Sequence, residues 1–255
     1  MSGEDVHRVL RSSFGLEAFR PHQEEVVQAV LAGRDTLLCL PTGGGKSLTF
    51  QLPAVLLEGL TLVVSPLIAL MDDQVRALQG RGVRAACVHS QIERPERERR
   101  LDAAVRGELD LLYVTPERLR SPAFRARVPE LAVARLAIDE AHCVSQWGHD
   151  FRPDYSRLAL YRAELGDPPT LAVTATATPR VADDICERVG LREPLVVRAG
   201  IERPNLFLAA TEVFDEDERL ELVAARLRAL EGAGIVYLTR IRELERLAED
   251  LRAAE

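Results

Sequence analysis

The chain has 255 residues, of which 47% are hydrophobic and 29% charged, and it carries a net charge of −7 at pH 7. A sizeable core is therefore available, and binding to nucleic acid by bulk charge alone is argued against. With no apolar run of 18 residues and no basic, apolar leader, the sequence reads as a soluble, cytoplasmic protein without a membrane segment.

The acidic excess is uneven: residues 212–255 hold −5 and the remainder −2, so the larger part can still form a local basic groove. Short apolar runs recur at 36–40, 61–65, 85–89, 111–115, 136–138, 170–174 and 195–197. Amphipathic stretches such as 67–79 and 95–105 lie between them, an alternation that predicts a parallel sheet flanked by helices. Near residue 200 the pattern restarts. Arg203-Pro204-Asn205 leads into 206–213, a helix-like stretch at 217–230 and a further buried strand at 235–238. The expected organisation is a first α/β domain over 1–205 and an incomplete second one over 206–255.

Of 33 basic residues a single one is lysine, Lys46, and it lies in Pro41-Thr42-Gly43-Gly44-Gly45-Lys46-Ser47. Where arginine has replaced lysine everywhere else, the survivor marks a place where a compact ammonium is required, as between the outer phosphates of a nucleotide. A buried strand, this glycine loop and a helix over 47–57 make a P-loop: Gly43, Gly44 and Gly45 let backbone amides wrap a phosphate, Lys46 reaches the outer phosphates and Ser47 ligates Mg²⁺. Leu40 stands where the strict pattern has glycine, which points to the helicase variant with bunched glycines. Upstream, Gln23 carries an amide able to pair with both N6 and N7 of adenine.

Downstream, a buried strand ends in Asp139-Glu140-Ala141-His142. Asp139 is placed to hold the metal and Glu140 to orient and deprotonate water. Trp147, His149, Phe151, Arg152 and Tyr155 follow in a segment too polar for a core strand, where exposed aromatics beside arginine suit unpaired bases. Cys39, Cys87, Cys143 and Cys186 lie 43 or more residues apart with no CxxC pair. They read as reduced core thiols, and zinc is not expected.

The run from Asp139 through Cys143-Val144-Ser145-Gln146-Trp147-Gly148-His149-Asp150-Phe151-Arg152-Pro153-Asp154-Tyr155 resembles the RecQ family of superfamily 2 DNA helicases. So do Phe19-Arg20-Pro21-His22-Gln23, Ser65-Pro66-Leu67-Ile68-Ala69-Leu70-Met71, Thr115-Pro116-Glu117-Arg118, Thr174-Ala175-Thr176-Ala177 and Arg203-Pro204-Asn205. The resemblance implies a RecA-like P-loop NTPase domain and the truncated start of a second RecA-like domain. It places Arg20 and Gln23 at the base, with Thr42 and the glycines on the phosphates, of ATP bound with Mg²⁺. It further implies 3′–5′ translocation on single-stranded DNA and unwinding of forked DNA in repair or recombination. The aromatic loop would sense the strand, and Ser65 and Thr115 would contact its phosphates. Thr174 and Thr176 would couple hydrolysis to movement, and His142 would link the carboxylates to that threonine strand. Missing counterparts of the second lobe's arginine motifs and of the family's four-cysteine module leave an alternative: an ATP- and DNA-binding module without unwinding activity. Protein partners are not legible.

Overall fold

In the computed structural model, which describes residues 3–148, 150–200 and 206–253, the apolar runs become the strands of one sheet. These are β1 (Thr36–Cys39), β2 (Leu60–Val64), β3 (Ala85–Val88), β4 (Leu111–Val114), β5 (Val133–Ile138), β6 (Thr170–Thr174) and β7 (Leu195–Arg198). They lie in the order β3-β4-β2-β5-β6-β1-β7, every pair parallel. The helices are α1 (Gly3–Phe14), α2 (Gln23–Leu31), α3 (Leu48–Leu56), α4 (Ile68–Gln79), α5 (Arg94–Val105), α6 (Pro116–Arg120), α7 (Pro122–Arg125), α8 (Leu158–Glu164), α9 (Pro179–Val189), α10 (Glu216–Ala229) and α11 (Ile241–Ala253).

A parallel sheet needs crossovers, and crossovers cover both faces, so its strands are apolar at successive positions instead of alternate ones. β1 shows this directly: Leu37 and Cys39 join one core cluster while Leu38 joins the other. β2 is buried along its whole length. Because all strands point the same way, the loops leaving their carboxyl ends gather on one side. The register then fixes neighbours there: Cys39 lies opposite Thr174 across β1–β6, and Ile138 opposite Ala172 across β5–β6.

The chain divides into two compact units, Met1–Glu202 and Arg203–Glu255. The sheet and α1–α9 belong to the first. In the second, α10 starts at Asp215, whose carboxylate accepts from the Glu218 amide at 2.8 Å, and α11 completes the described residues. The buried strand expected at 235–238 does not form: Ile235 is 77% exposed and Tyr237 85%. An apolar run becomes a buried strand only with a neighbouring strand to pair its amides and carbonyls, and the described residues of this unit supply none. His149 and Arg203-Pro204-Asn205 lie outside the described residues. Among the described residues no helix is long and apolar enough to cross a membrane.

Candidate nucleotide and nucleic-acid site

The loop between β1 and α3 is shaped by its glycines. Gly43 and Gly45 have φ of 81° and 75°, a region that side chains disfavour. A Cβ on Gly44 would sit 2.9 Å from the Pro41 carbonyl, and one on Gly45 would collide with the Gln23 amide nitrogen. Lys46 Nζ donates to the Leu40 carbonyl at 3.1 Å, folding the side chain back over the loop. Ser47 stands at the start of α3, and its hydroxyl caps no amide of that helix.

Gln23 is buried, with 2% exposure, and its amide is fully engaged. Nε2 donates to the carbonyls of Gly44 (3.2 Å) and Gly45 (3.0 Å), while Oε1 accepts from the Arg20 amide at 2.8 Å. The Arg20 guanidinium donates to the Gly43 carbonyl. The two residues expected at a base therefore grip the glycine loop itself.

Asp139 follows β5, and its amide donates to the Val64 carbonyl at 2.8 Å, extending the β2–β5 ladder by one bond. The carboxylate is almost fully buried; it accepts from the Glu140 amide at 3.0 Å and from the Ser65 hydroxyl at 3.3 Å. Burial, and then the neighbouring Glu140 charge, push its pKa up to about 6, with the Lys46 ammonium and Ser65 hydroxyl pulling the other way. Two adjacent carboxylates and a facing ammonium thus sit where a divalent cation would relieve the repulsion. The two carboxylates and the Ser47 hydroxyl are oxygen donors of the kind that fits Mg²⁺. Glu140 adopts a left-handed backbone, φ 48° and ψ 46°.

His142 joins the remaining pieces. Its Nδ1 lies 3.3 Å from Glu140 Oε2 and 2.8 Å from Thr174 Oγ1. Thr174 is buried; its hydroxyl donates to the Thr176 carbonyl at 3.2 Å and accepts from the Thr176 amide at 3.3 Å. With the Thr174 proton committed to Thr176, the network calls for the tautomer with its proton on Nδ1. His142 thus stands between the Glu140 carboxylate and the threonine strand, in contact with both.

The loop after β5 folds back beneath this network. Tyr155 is fully buried and its hydroxyl donates to the Asp139 carbonyl at 2.9 Å. Arg152 donates to Asp150 (3.0 Å) and to the Pro66 carbonyl (3.4 Å), and Phe151 is half-buried. Trp147 is 59% exposed, with the Arg180 guanidinium of α9 stacked 3.6 Å from its ring centroid. A cleft of about 300 Å³ opens here, lined by Thr42, Pro66, Glu140, His142, Arg152 and Thr176 among others. A larger hollow of about 670 Å³ belongs to the second unit, where it is walled by charged residues of α10 and α11 and contains none of these groups.

Two of the expected DNA-contact residues are buried at the strand ends. Ser65 is 1% exposed and spends its hydroxyl on Asp139; Thr115 is 7% exposed. Sequence reasoning expected Tyr155 among the exposed aromatics, whereas it is fully buried, and left out Arg180 altogether. Tyr155 belongs to the site through its grip on Asp139, and Arg180 through its cover of Trp147. The first was legible only as an aromatic in the loop, and the second carried no signal, being one arginine among many.

Residues 20–185 match the family described as DEAD/DEAH box helicase. The chain is 40% identical over 249 residues to a probable ATP-dependent DNA helicase RecS of Bacillus subtilis, covering 97% of this chain and 50% of that protein. It is 42% identical over 252 residues to the ATP-dependent DNA helicase RecQ of the same organism, covering 97% and 42%. The chain thus spans half or less of the length of these curated relatives. Among solved structures it resembles the DUF1998 helicase MrfA (TM-score 0.72, 18% identity, all of this chain and 41% of that one). It also resembles the Mycobacterium smegmatis helicase Lhr bound to ssDNA and AMP-PNP (TM-score 0.66, 22% identity, 98% and 35%). At these identities the structural likeness speaks for the fold.

Proposed function

We propose that this chain, which belongs to the DEAD/DEAH box helicase family, is the nucleotide-hydrolysing lobe of a RecQ-like DNA helicase motor. The observation that carries the reading is the linked set at the carboxyl ends of β1, β5 and β6. The only lysine lies in a glycine loop and lowers the charge cost of the buried Asp139, whose neighbour Glu140 is tied through His142 to Thr174.

In this reading Lys46 leaves the Leu40 carbonyl to meet the outer phosphates of ATP, and amides of Thr42–Ser47 wrap the remaining oxygens. Ser47 and Asp139 would hold Mg²⁺, which neutralises charge gathering on the transferring phosphate. Glu140 orients the attacking water and takes its proton, and its left-handed backbone aims the carboxylate into the cleft. His142 holds that carboxylate and passes any shift of the 174–176 segment on to it. Trp147, Phe151 and Arg152 offer a ring, an apolar edge and a cation to an unpaired strand, a combination that recognises base faces and backbone without reading sequence. Because Tyr155 of the same loop holds the Asp139 carbonyl, strand engagement and hydrolysis share a physical connection. Single-stranded and forked DNA are the partners that this surface suits, with 3′–5′ movement and unwinding as work of the intact parent.

The test is DNA-stimulated ATP turnover by the intact parent. Lys46→Ala and Glu140→Gln are each expected to lower it about 100-fold or more, the usual worth of a lost general base or charge clamp, with Glu140→Gln still binding nucleotide. Full turnover in either variant would refute these roles. A second reading, a nucleotide- and DNA-binding module without unwinding, is favoured by the second unit, whose described residues form no strand. A strand-displacement assay on the 255-residue chain separates the two, since appreciable unwinding would overturn the module reading.

A further inference from the structure

Away from the cleft, three donor side chains of different chemistry converge where α4 packs against the edge strand β3. Cys87 lies on β3 and His89 two positions on, so both project from one face of the sheet edge. Asp72 comes from α4 to meet them. Its Oδ1 lies 3.2 Å from Cys87 Sγ and 3.1 Å from His89 Nε2, and all three donor atoms fall within 4.8 Å of one another. Cys87 and His89 are each 2% exposed, whereas the Asp72 side chain is 39% exposed and leaves a way in from solvent. His89 Nδ1 is buried with no hydrogen-bond partner.

We propose that Asp72, Cys87 and His89 form a binding site for one d-block divalent cation of the zinc class, with water as fourth ligand. The donors choose the class. Thiolate, imidazole and carboxylate together suit a tetrahedral, borderline-soft ion, while Mg²⁺ and Ca²⁺ prefer oxygen throughout. A dication is balanced by one thiolate and one carboxylate, the thiol proton leaving to solvent as the metal enters. The nearby cation is accounted for as well. Arg100 donates to Cys87 Sγ at 3.3 Å and to the Cys87 carbonyl at 2.8 Å, and its own charge is met by Glu96 at 2.7 Å. It serves as an outer hydrogen-bond donor to the sulfur, as groups around metal thiolates commonly do. Cysteine spacing gave no hint of this site, because its ligands come from elements that only the fold brings together. A bound ion would pin α4, the helix that leaves the cleft wall at Pro66 and Leu67, to the sheet edge.

The experiment titrates the untagged 255-residue chain with Co²⁺. The expected result is a near-ultraviolet sulfur-to-cobalt band with tetrahedral visible bands, saturating at one equivalent and abolished by Zn²⁺. Cys87→Ser should remove the sulfur band. His89→Asn should weaken binding about tenfold or more, and Cys143→Ser should leave it intact. Circular dichroism of each variant separates a lost ligand from a lost fold, and a metal-dependent rise in melting temperature is expected in the wild type and absent in Cys87→Ser. No sulfur band in the wild type, or a band that survives Cys87→Ser, overturns the proposal. A band lost in folded Cys143→Ser also overturns it, because the ion then sits at the His142, Cys143 and Asp150 group instead.

Discussion

Asp139 illustrates how a single side chain can oppose the stability of the chain that carries it. Its pKa lies near 6 because burial and Glu140 disfavour the charged form, so the ionised carboxylate costs folding free energy wherever the pH exceeds that value. A carboxyl raised in the folded state holds its proton longer there than in the unfolded chain. The penalty is therefore absent below the ordinary aspartate range near about 4, grows between the two values and is complete above about 6. Asp139→Asn in magnesium-free buffer is expected to raise stability at pH 7 by up to about 3 kcal/mol, an advantage that fades as the pH falls towards 4. Urea midpoints across that range check it, and an advantage independent of pH would contradict the cause given. Glu140 is strained in another way: a left-handed backbone on a non-glycine residue costs on the order of 1 kcal/mol. It is tolerated because Asp139, Tyr155 and His142 hold the residues on either side.

At the scale of elements, the alternating runs were enough to locate every strand of the sheet, since strands covered on both faces announce themselves as unbroken apolar stretches. The glycine loop, the acid pair and the aromatic loop were legible for a related reason: each is a short contiguous motif with its chemistry in adjacent letters. What escaped was whatever depends on one element meeting another. Ser65 turns inward to Asp139, Gln23 reaches the glycine loop, and 235–238 finds no partner strand; none of these follows from local pattern. Arg180 over Trp147 is the clearest instance, a helix start covering a loop 33 residues earlier. Trp147 is the chain's only tryptophan, so its emission reports this contact alone. Arg180→Ala is expected to shift that emission to the red and to increase acrylamide quenching, releasing about 0.5–1 kcal/mol of loop restraint. Unchanged emission would show that the stacking does not hold the loop.

For the whole molecule, the order β3-β4-β2-β5-β6-β1-β7 makes every strand pair of the sheet except β3–β4 and β5–β6 a partnership between strands that are not consecutive in the chain. β1 pairs with strands whose residues lie more than a hundred positions later, so the sheet that holds the site is closed by its latest-made parts. Damage at the middle should then be felt across the first unit. Leu62→Ala, at a fully buried position of β2, is expected to cost about 2–5 kcal/mol and to lower nucleotide binding and the unfolding midpoint together. Loss of binding with an unchanged midpoint would argue against a single cooperative body. The grip of Gln23 has a consequence of its own. Both protons of its amide are already given to Gly44 and Gly45, so a purine can claim one only by unfastening the cradle. On the proposed reading, admission of the base and release of the loop for the triphosphate would be a single event, and a nucleotide unable to unfasten Gln23 would leave the latch shut.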